Sequence, residues 1–342
     1  MPDPQPQVDE SARRRARLLD AQLRGLIAEH RGMPVDAPSV PLPIGAGRVI
    51  DDPDDRSGAD AWVLVDADGS TRPGRALGPA MAWARRQEAT GLHLISAAEA
   101  GSLARRASRF AWPVDVWFPE GRDLLPVVEE PLASPPPPRP EHRAFGDEIL
   151  SAGADLVVEH GIVTGEVHGL EVCRVVDGAD GVARLDVGVG AQDRDAFGLL
   201  HGDQPPIDAL AKVAATVAAH RTADAAQHPL NRVARERLLR WQLIENPTMA
   251  GLDQLAIAEP PVARGGLKET EPCFAVGRDA DGRTVSVVVS SGVDLDLAPY
   301  VADIQIAHDQ PVLVVLPSRD VLPITTELLS LLRQPVEVRA IG

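Results

Sequence analysis

The densest set of side chains able to do chemistry runs through the middle of the chain: Glu159-His160-Gly161, Glu166, His168, Glu171, Asp186, Asp193-Arg194-Asp195 and His201-Gly202-Asp203. Period two along Val167–Val176 sets Glu171 among Val167, Gly169, Cys173 and Val175, and sets Arg174 with Leu170 and Val172. A carboxylate on a partly buried face needs a partner, and a cross-strand Arg–Glu pair supplies one without any metal. The histidines show no H-x-x-x-H, the two cysteines (Cys173 and Cys273) no C-x-x-C, and no G-x-S-x-G elbow occurs, so neither zinc nor a serine or cysteine nucleophile is expected. Arg232, Arg235, Arg237 and Arg240 with Trp241 form the one basic and aromatic patch, suited to phosphate contact or to pairing with Glu236 and neighbouring acids.

These residues must be held by elements whose pattern is legible. Trp62–Val65, Leu92–Ile95 and Pro113–Val116 are short apolar runs separated by helical patterns over 75–88 and 97–110. Val285–Val289, Val312–Leu316 and Pro335–Val338 repeat the arrangement, with helical patterns over 295–308 and 321–333. Both stretches read as β-α-β-α-β, and both close on Pro-Val-acid-Val. The expected fold class is therefore α/β, with two such units flanking an α+β middle domain. In parallel sheets, ligands sit beyond the carboxyl ends of strands. Those loops here are Asp66-Ala-Asp68-Gly69, Ser290-Ser291-Gly292 and Pro317-Ser318-Arg319-Asp320. Ser290-Ser291-Gly292 can offer backbone N–H groups to an anion or simply cap a helix. It has neither G-x-G-x-x-G nor P-loop spacing, so no nucleotide cofactor is expected.

The boundaries follow from composition. Residues 1–32 comprise a disordered start and an amphipathic helix over 11–30, with Leu18, Leu19, Leu23, Leu26 and Ile27 as its apolar stripe and Arg13, Arg14, Arg15, Arg17 and Arg24 around it. That helix either packs on its own domain or takes a protein partner or a second copy. An irregular approach (33–60) containing the acidic run Asp51–Asp55 opens the first unit, 33–130. The proline-rich 131–140 is a semi-rigid spacer. The middle domain spans 141–250, with a helix over 141–152, three strands (155–160, 167–176 and 183–189) separated by turns at Thr164-Gly165 and 177–181, and helices over 207–220 and 230–245. A linker at 251–270 leads to the last unit, 271–342. The net charge of −16 disfavours nucleic acid as a partner. Neither a signal peptide nor an apolar run of membrane length is visible, which points to the cytoplasm.

The helix followed by strands bearing acids is similar in outline to the restriction-endonuclease-like nucleases. That resemblance implies Glu148 as the helix acid, Glu171 and Asp186 as carboxylates sharing a Mg²⁺, and a lysine two residues beyond the last. Gly188 stands there instead, leaving Lys212 on the next helix as the substitute. Leu77-Gly-Pro-Ala-Met-Ala-Trp-Ala84, Leu103-Ala-Arg-Arg-Ala107 and Leu185-Asp-Val-Gly-Val-Gly190 resemble tracts of an actinobacterial family with no assigned activity. The chain is expected to be non-catalytic and to act through protein–protein contacts, without a cofactor; the alternative is a Mg²⁺-dependent nuclease-like enzyme.

Overall fold

Three sheets organise the chain, seen in a computed structural model that describes residues 5–51, 58–69, 72–190, 193–194, 206–222, 228–264 and 270–342. Asp52–Asp55, Asp195, His201, Asp203 and part of the 251–270 linker lie outside the described residues. The first sheet has the order β1-β2-β3-β4-β5-β6, formed by Ser39–Leu42, Gly45–Asp51, Ala59–Val65, Gly91–Ile95, Val114–Glu120 and Asp123–Pro126. Its centre, β3-β4-β5, is parallel, with crossovers α2 (Leu77–Arg86) and α3 (Ala100–Ala107). The second is an antiparallel meander, β7 (Asp155–Glu159), β8 (Ile162–Val167), β9 (Leu170–Asp177) and β10 (Ala183–Val187). The third has the order β11-β12-β13-β14-β15, from Gln254–Ile257, Cys273–Arg278, Thr284–Val289, Val312–Pro317 and Val336–Ile341. Its crossovers are α8 (Leu297–Ala307) and α9 (Pro323–Ser330).

The chain is therefore mixed α/β. Both β-α-β-α-β units form, and each is preceded by two antiparallel strands: β1 and β2 before β3, β11 and β12 before β13. The stretch 33–60 is thus not wholly irregular. The shared Pro-Val-acid-Val falls on equivalent strands, β5 and β15. Asp-Ala-Asp-Gly also occurs twice, but in positions that do not correspond: 66–69 follows β3 whereas 279–282 joins β12 to β13.

The residues divide into two compact units whose first border falls between Leu132 and Ala133, in the proline-rich stretch. Unit 1 comprises Met1–Leu132, Leu295–Asp303 and Pro323–Pro335; unit 2 comprises Ala133–Asp294, Ile304–Leu322 and Val336–Gly342. In unit 1, α1 spans Gln5–Arg31, so helix begins where disorder was expected. It buries Leu23, Leu26 and Ile27 against Ala46, Ile50, Trp62, Leu64 and Ile95 of the first sheet. Each such side chain contributes on the order of 1.5–3 kcal/mol. Leu18 instead stays 62% exposed, because about 100° of rotation per residue carries it off the stripe centred on Leu23 and Leu26. Ala61, Val63 and Val65 alternate to the opposite face of β3 and are buried there.

Unit 1 also encloses an ion triad. Asp303, fully buried, accepts from Arg105 Nε at 3.1 Å and Arg106 Nε at 2.6 Å. Arg105 Nη1 and Arg106 Nη1 donate in turn to the carbonyls of Glu130 and Gly74, each at 2.6 Å.

In unit 2, α4 (Pro140–Arg143) and α5 (Gly146–Ser151) replace the single helix expected over 141–152. The strand expected over 167–176 is split by a turn at His168-Gly169, and Thr164-Gly165 lies inside β8 rather than in a turn. The meander core packs under α6 (Pro206–His220), with Leu210, Ala214 and Val217 against Val172, Leu185 and Val187. Helix α7 (Arg235–Glu245) sets Leu239 and Leu243 on Ala275, Val287, Val289 and Val315 of the third sheet. Among the described residues, no helix is long and apolar enough to cross a membrane.

Gly78 in the first turn of α2 admits the backbone of Leu295 so closely that a Cβ would sit 1.9 Å from its carbonyl oxygen. Gly78→Ala is expected to lower unfolding stability by about 2 kcal/mol, since rigid backbone leaves nowhere for the methyl to go. Urea unfolding of the purified variant against wild type measures it; an unchanged midpoint refutes this account of the contact.

Candidate functional site

The meander owes its shape to two two-residue loops, His160-Gly161 and His168-Gly169, both pairs at positive φ (49° and 76°, 48° and 73°). That is the hairpin geometry whose twist matches the strands, and histidine is among the residues that tolerate it. Neither imidazole is a free ligand. His168 Nδ1 lies 2.7 Å from the Arg221 carbonyl and its ring stacks on Trp241 at 3.9 Å. His160 Nε2 lies 2.9 Å from the Pro260 carbonyl.

A bulge near Gly165 and Glu166 pairs Glu166 with Glu171, while Gly165 still pairs with Cys173. The extra residue breaks the strict alternation of β9 and turns Glu171 onto the face of Arg174. The expected separation of these two side chains onto opposite faces is thereby corrected. Arg174 grips Glu171 through Nε at 3.0 Å and Nη2 at 2.9 Å, and Arg194 Nη1 adds a third bond at 2.8 Å.

The other residues of the nuclease-like set are dispersed in role. Glu148 is exposed on α5, Lys212 is exposed on α6, and Asp186 on β10 pairs with Arg184 Nε at 3.0 Å. Among the described residues, no three His, Cys, Asp or Glu side chains assemble into a metal-holding group.

Arg237 and Arg240, noted for possible phosphate contact, point inward instead. Arg237 bonds Glu159 Oε2 at 2.5 Å and pairs with Glu166; Arg240 reaches Glu159 Oε1 and Glu166 Oε2, both at 3.3 Å, and the Phe274 carbonyl at 3.1 Å. Burial works against the Glu159 carboxylate, yet Arg237, Arg240 and Arg264 outweigh it and hold its pKa below the ordinary value. Sequence reasoning missed Arg221 altogether. Fully buried, it donates to the carbonyls of His168 (2.8 Å), Leu230, Val233 (2.9 Å) and Ala234 (2.8 Å). Burial pushes its pKa down to about 10, with Glu236 opposing the shift. A lone arginine before a proline- and alanine-rich turn carries no sequence signal for such a role.

Unit 1 holds the candidate partner surface. The last turn of α1 is anchored by His30, whose ring meets Trp117 at 4.7 Å and Trp62 at 5.5 Å. Trp62 stacks on His93 at 3.9 Å, and Trp117 Nε1 donates to His93 Nδ1 at 3.1 Å. The His93 proton therefore sits on Nε2, 3.7 Å from Asp60. Burial lowers the His93 pKa against the pull of Asp115 and Asp60. With α1 so fixed, its outward side presents exposed Arg14, Arg17, Leu18 and Arg24. Beside them, Ala21, Gly25 and Met33 help to line a shallow groove of about 770 Å³ that reaches Arg122 of the β5–β6 turn.

A scan against protein-family models finds no match, and searches of curated proteins and of solved structures return no similar chain.

Two outcomes test this electrostatic account. Glu171→Gln leaves Arg174 and Arg194 without their anion and is expected to destabilise by about 2–3 kcal/mol, less than a fully buried pair because Arg174 is partly exposed; an unchanged urea midpoint contradicts the pairing. For Glu159 the folded pKa is depressed, so its contribution is complete above the ordinary value of 4.5 and is lost as pH falls through the lower folded value. The stability gap between wild type and Glu159→Gln should therefore be constant from pH 7 to pH 5 and close in more acidic urea titrations; a gap that widens with acid reverses the sign.

Proposed function

We propose that this chain is a non-catalytic protein that acts through protein–protein contact, using the outward face of α1 to receive an acidic amphipathic helix of a partner. The observation that carries the reading is the stripe Arg14-Arg17-Leu18-Arg24: three exposed guanidiniums around an exposed leucine, on a helix whose Leu23, Leu26 and Ile27 are buried against its own sheet. An apolar anchor flanked by three guanidiniums fits an amphipathic helix of the opposite sign. The small residues Ala21 and Gly25 let a second backbone approach. The non-catalytic part is supported by the engagement of Glu171, Glu159 and Glu166 in arginine pairs. Such pairs spend carboxylates on structure rather than on substrate.

Fluorescence anisotropy with a labelled helical peptide, glutamates flanking a leucine seam, tests the proposal on the full chain. Binding is expected to weaken ~tenfold between low and high salt and to disappear in Arg17→Glu/Leu18→Ser. Binding by the double variant as tight as wild type, or none by wild type, would sink it. A Mg²⁺-dependent cleavage of DNA or RNA abolished by Glu171→Gln in folded protein would sink the non-catalytic part.

A further inference from the structure

We infer that unit 2 carries a binding site for a small phosphate monoester with an apolar body, in the cleft at the carboxyl ends of β13, β14 and β15. The cleft encloses about 740 Å³, within the range of small-molecule sites. It is formed by the loops that follow the three parallel strands and by one side of α7, the position at which parallel sheets hold ligands.

Its composition defines the ligand. Arg232 and Arg235 come from the start of α7 and the turn before it, and Arg319 from the loop after β14; all three are exposed. Among the described residues that line it, none is acidic and none is aromatic, in a chain of net charge −16. Three guanidiniums from separate segments suit the dispersed charge of a phosphate better than the two oxygens of a single carboxylate. Ser291, 2% exposed, adds a hydroxyl at the end of β13. The two loops are fixed to one another, since Asp320 Oδ2 accepts the Gly292 N–H at 2.7 Å. Gly292 itself needs its positive φ of 79°. Asp320 Oδ1 also pairs with Arg319 Nε at 3.8 Å, tethering that guanidinium to the same loop.

Beside the arginines the lining mixes apolar Leu238, Leu239, Met249 and Ile341 with polar Asn231 and Gln242. A free phosphate ion would leave the leucine, methionine and isoleucine side chains wet, whereas an apolar substituent covers them. No aromatic side chain among the described lining residues offers a base a ring to stack on, so the fit favours a compact apolar substituent over a nucleotide.

Isothermal titration of the full chain with phenyl phosphate, inorganic phosphate, phenylacetate and ATP tests the site. Phenyl phosphate is expected to bind tightest. Arg235→Gln and Arg319→Gln should each weaken it by roughly tenfold, whereas Arg283→Gln, exposed on the β12–β13 turn, should not. Both targeted residues are exposed, and unchanged melting temperatures verify folding, so either variant alone suffices. The proposal is overturned if neither phosphate compound binds, if binding ignores both substitutions, if phenylacetate matches phenyl phosphate, or if ATP exceeds it.

Discussion

Unit 2 depends on a charge problem that its own sequence creates. Helix α7 must lie on the third sheet to bury Leu239 and Leu243, yet it carries Arg237 and Arg240 into the interior at 7% and 1% exposure. Two guanidiniums cannot be left there uncompensated. The β7–β8 hairpin brings Glu159 and Glu166 against them, so the meander and the third sheet are joined through a four-residue ion cluster. The His160-Gly161 loop sets the hairpin register, and with it the positions of both glutamates. Arg221 extends the same logic with carbonyls in place of carboxylates, fastening the segment that leads into α7.

How far the sequence announces all this varies with the physics of each element. Parallel strands buried on both faces, such as Val285–Val289 and Val312–Leu316, read as continuous apolar runs, and their crossover helices as amphipathic windows. The antiparallel strands β1 and β2 do not: Ser-Val-Pro-Leu and Gly-Ala-Gly-Arg-Val-Ile-Asp carry turn-forming residues that pairing overrides. The His-Gly loops lack the Asn-Gly or Asp-Gly signal usually sought for such turns, so β8 reads as a turn between two strands. Glu171 was assigned to the wrong face for a related reason, because one inserted residue reverses every assignment beyond it. The arginines of 232–240 were visible as a patch, but the spatial split between outward Arg232 and Arg235 and inward Arg237 and Arg240 depends on which side of α7 meets the sheet. Ser291 and Arg319 each fall in a loop that topology marked as a place for ligands, and only the fold puts those loops beside α7.

The two parallel cores share more than element order. Each opens with two antiparallel strands and continues through two crossovers to a strand beginning at Pro-Val-acid-Val, to which the first sheet alone adds an antiparallel β6. This common scheme sets the first and third sheets apart from the meander, whose local hairpins owe nothing to crossovers.

Unit 1 is discontinuous, and that has a consequence for biosynthesis. Its α3 presents Arg105 and Arg106 to an interior whose counter-charge, Asp303, lies 197 or more positions later in the chain. While the ribosome has delivered only the first sheet and its helices, the carboxylate that both arginines share is not yet made, and the residues of α9 that complete the unit are further away still. Domains generally fold as they emerge, amino-terminal first. Unit 1 draws its last residues from 295–303 and 323–335, so its buried arginines meet their shared carboxylate only when nearly the whole chain has been made.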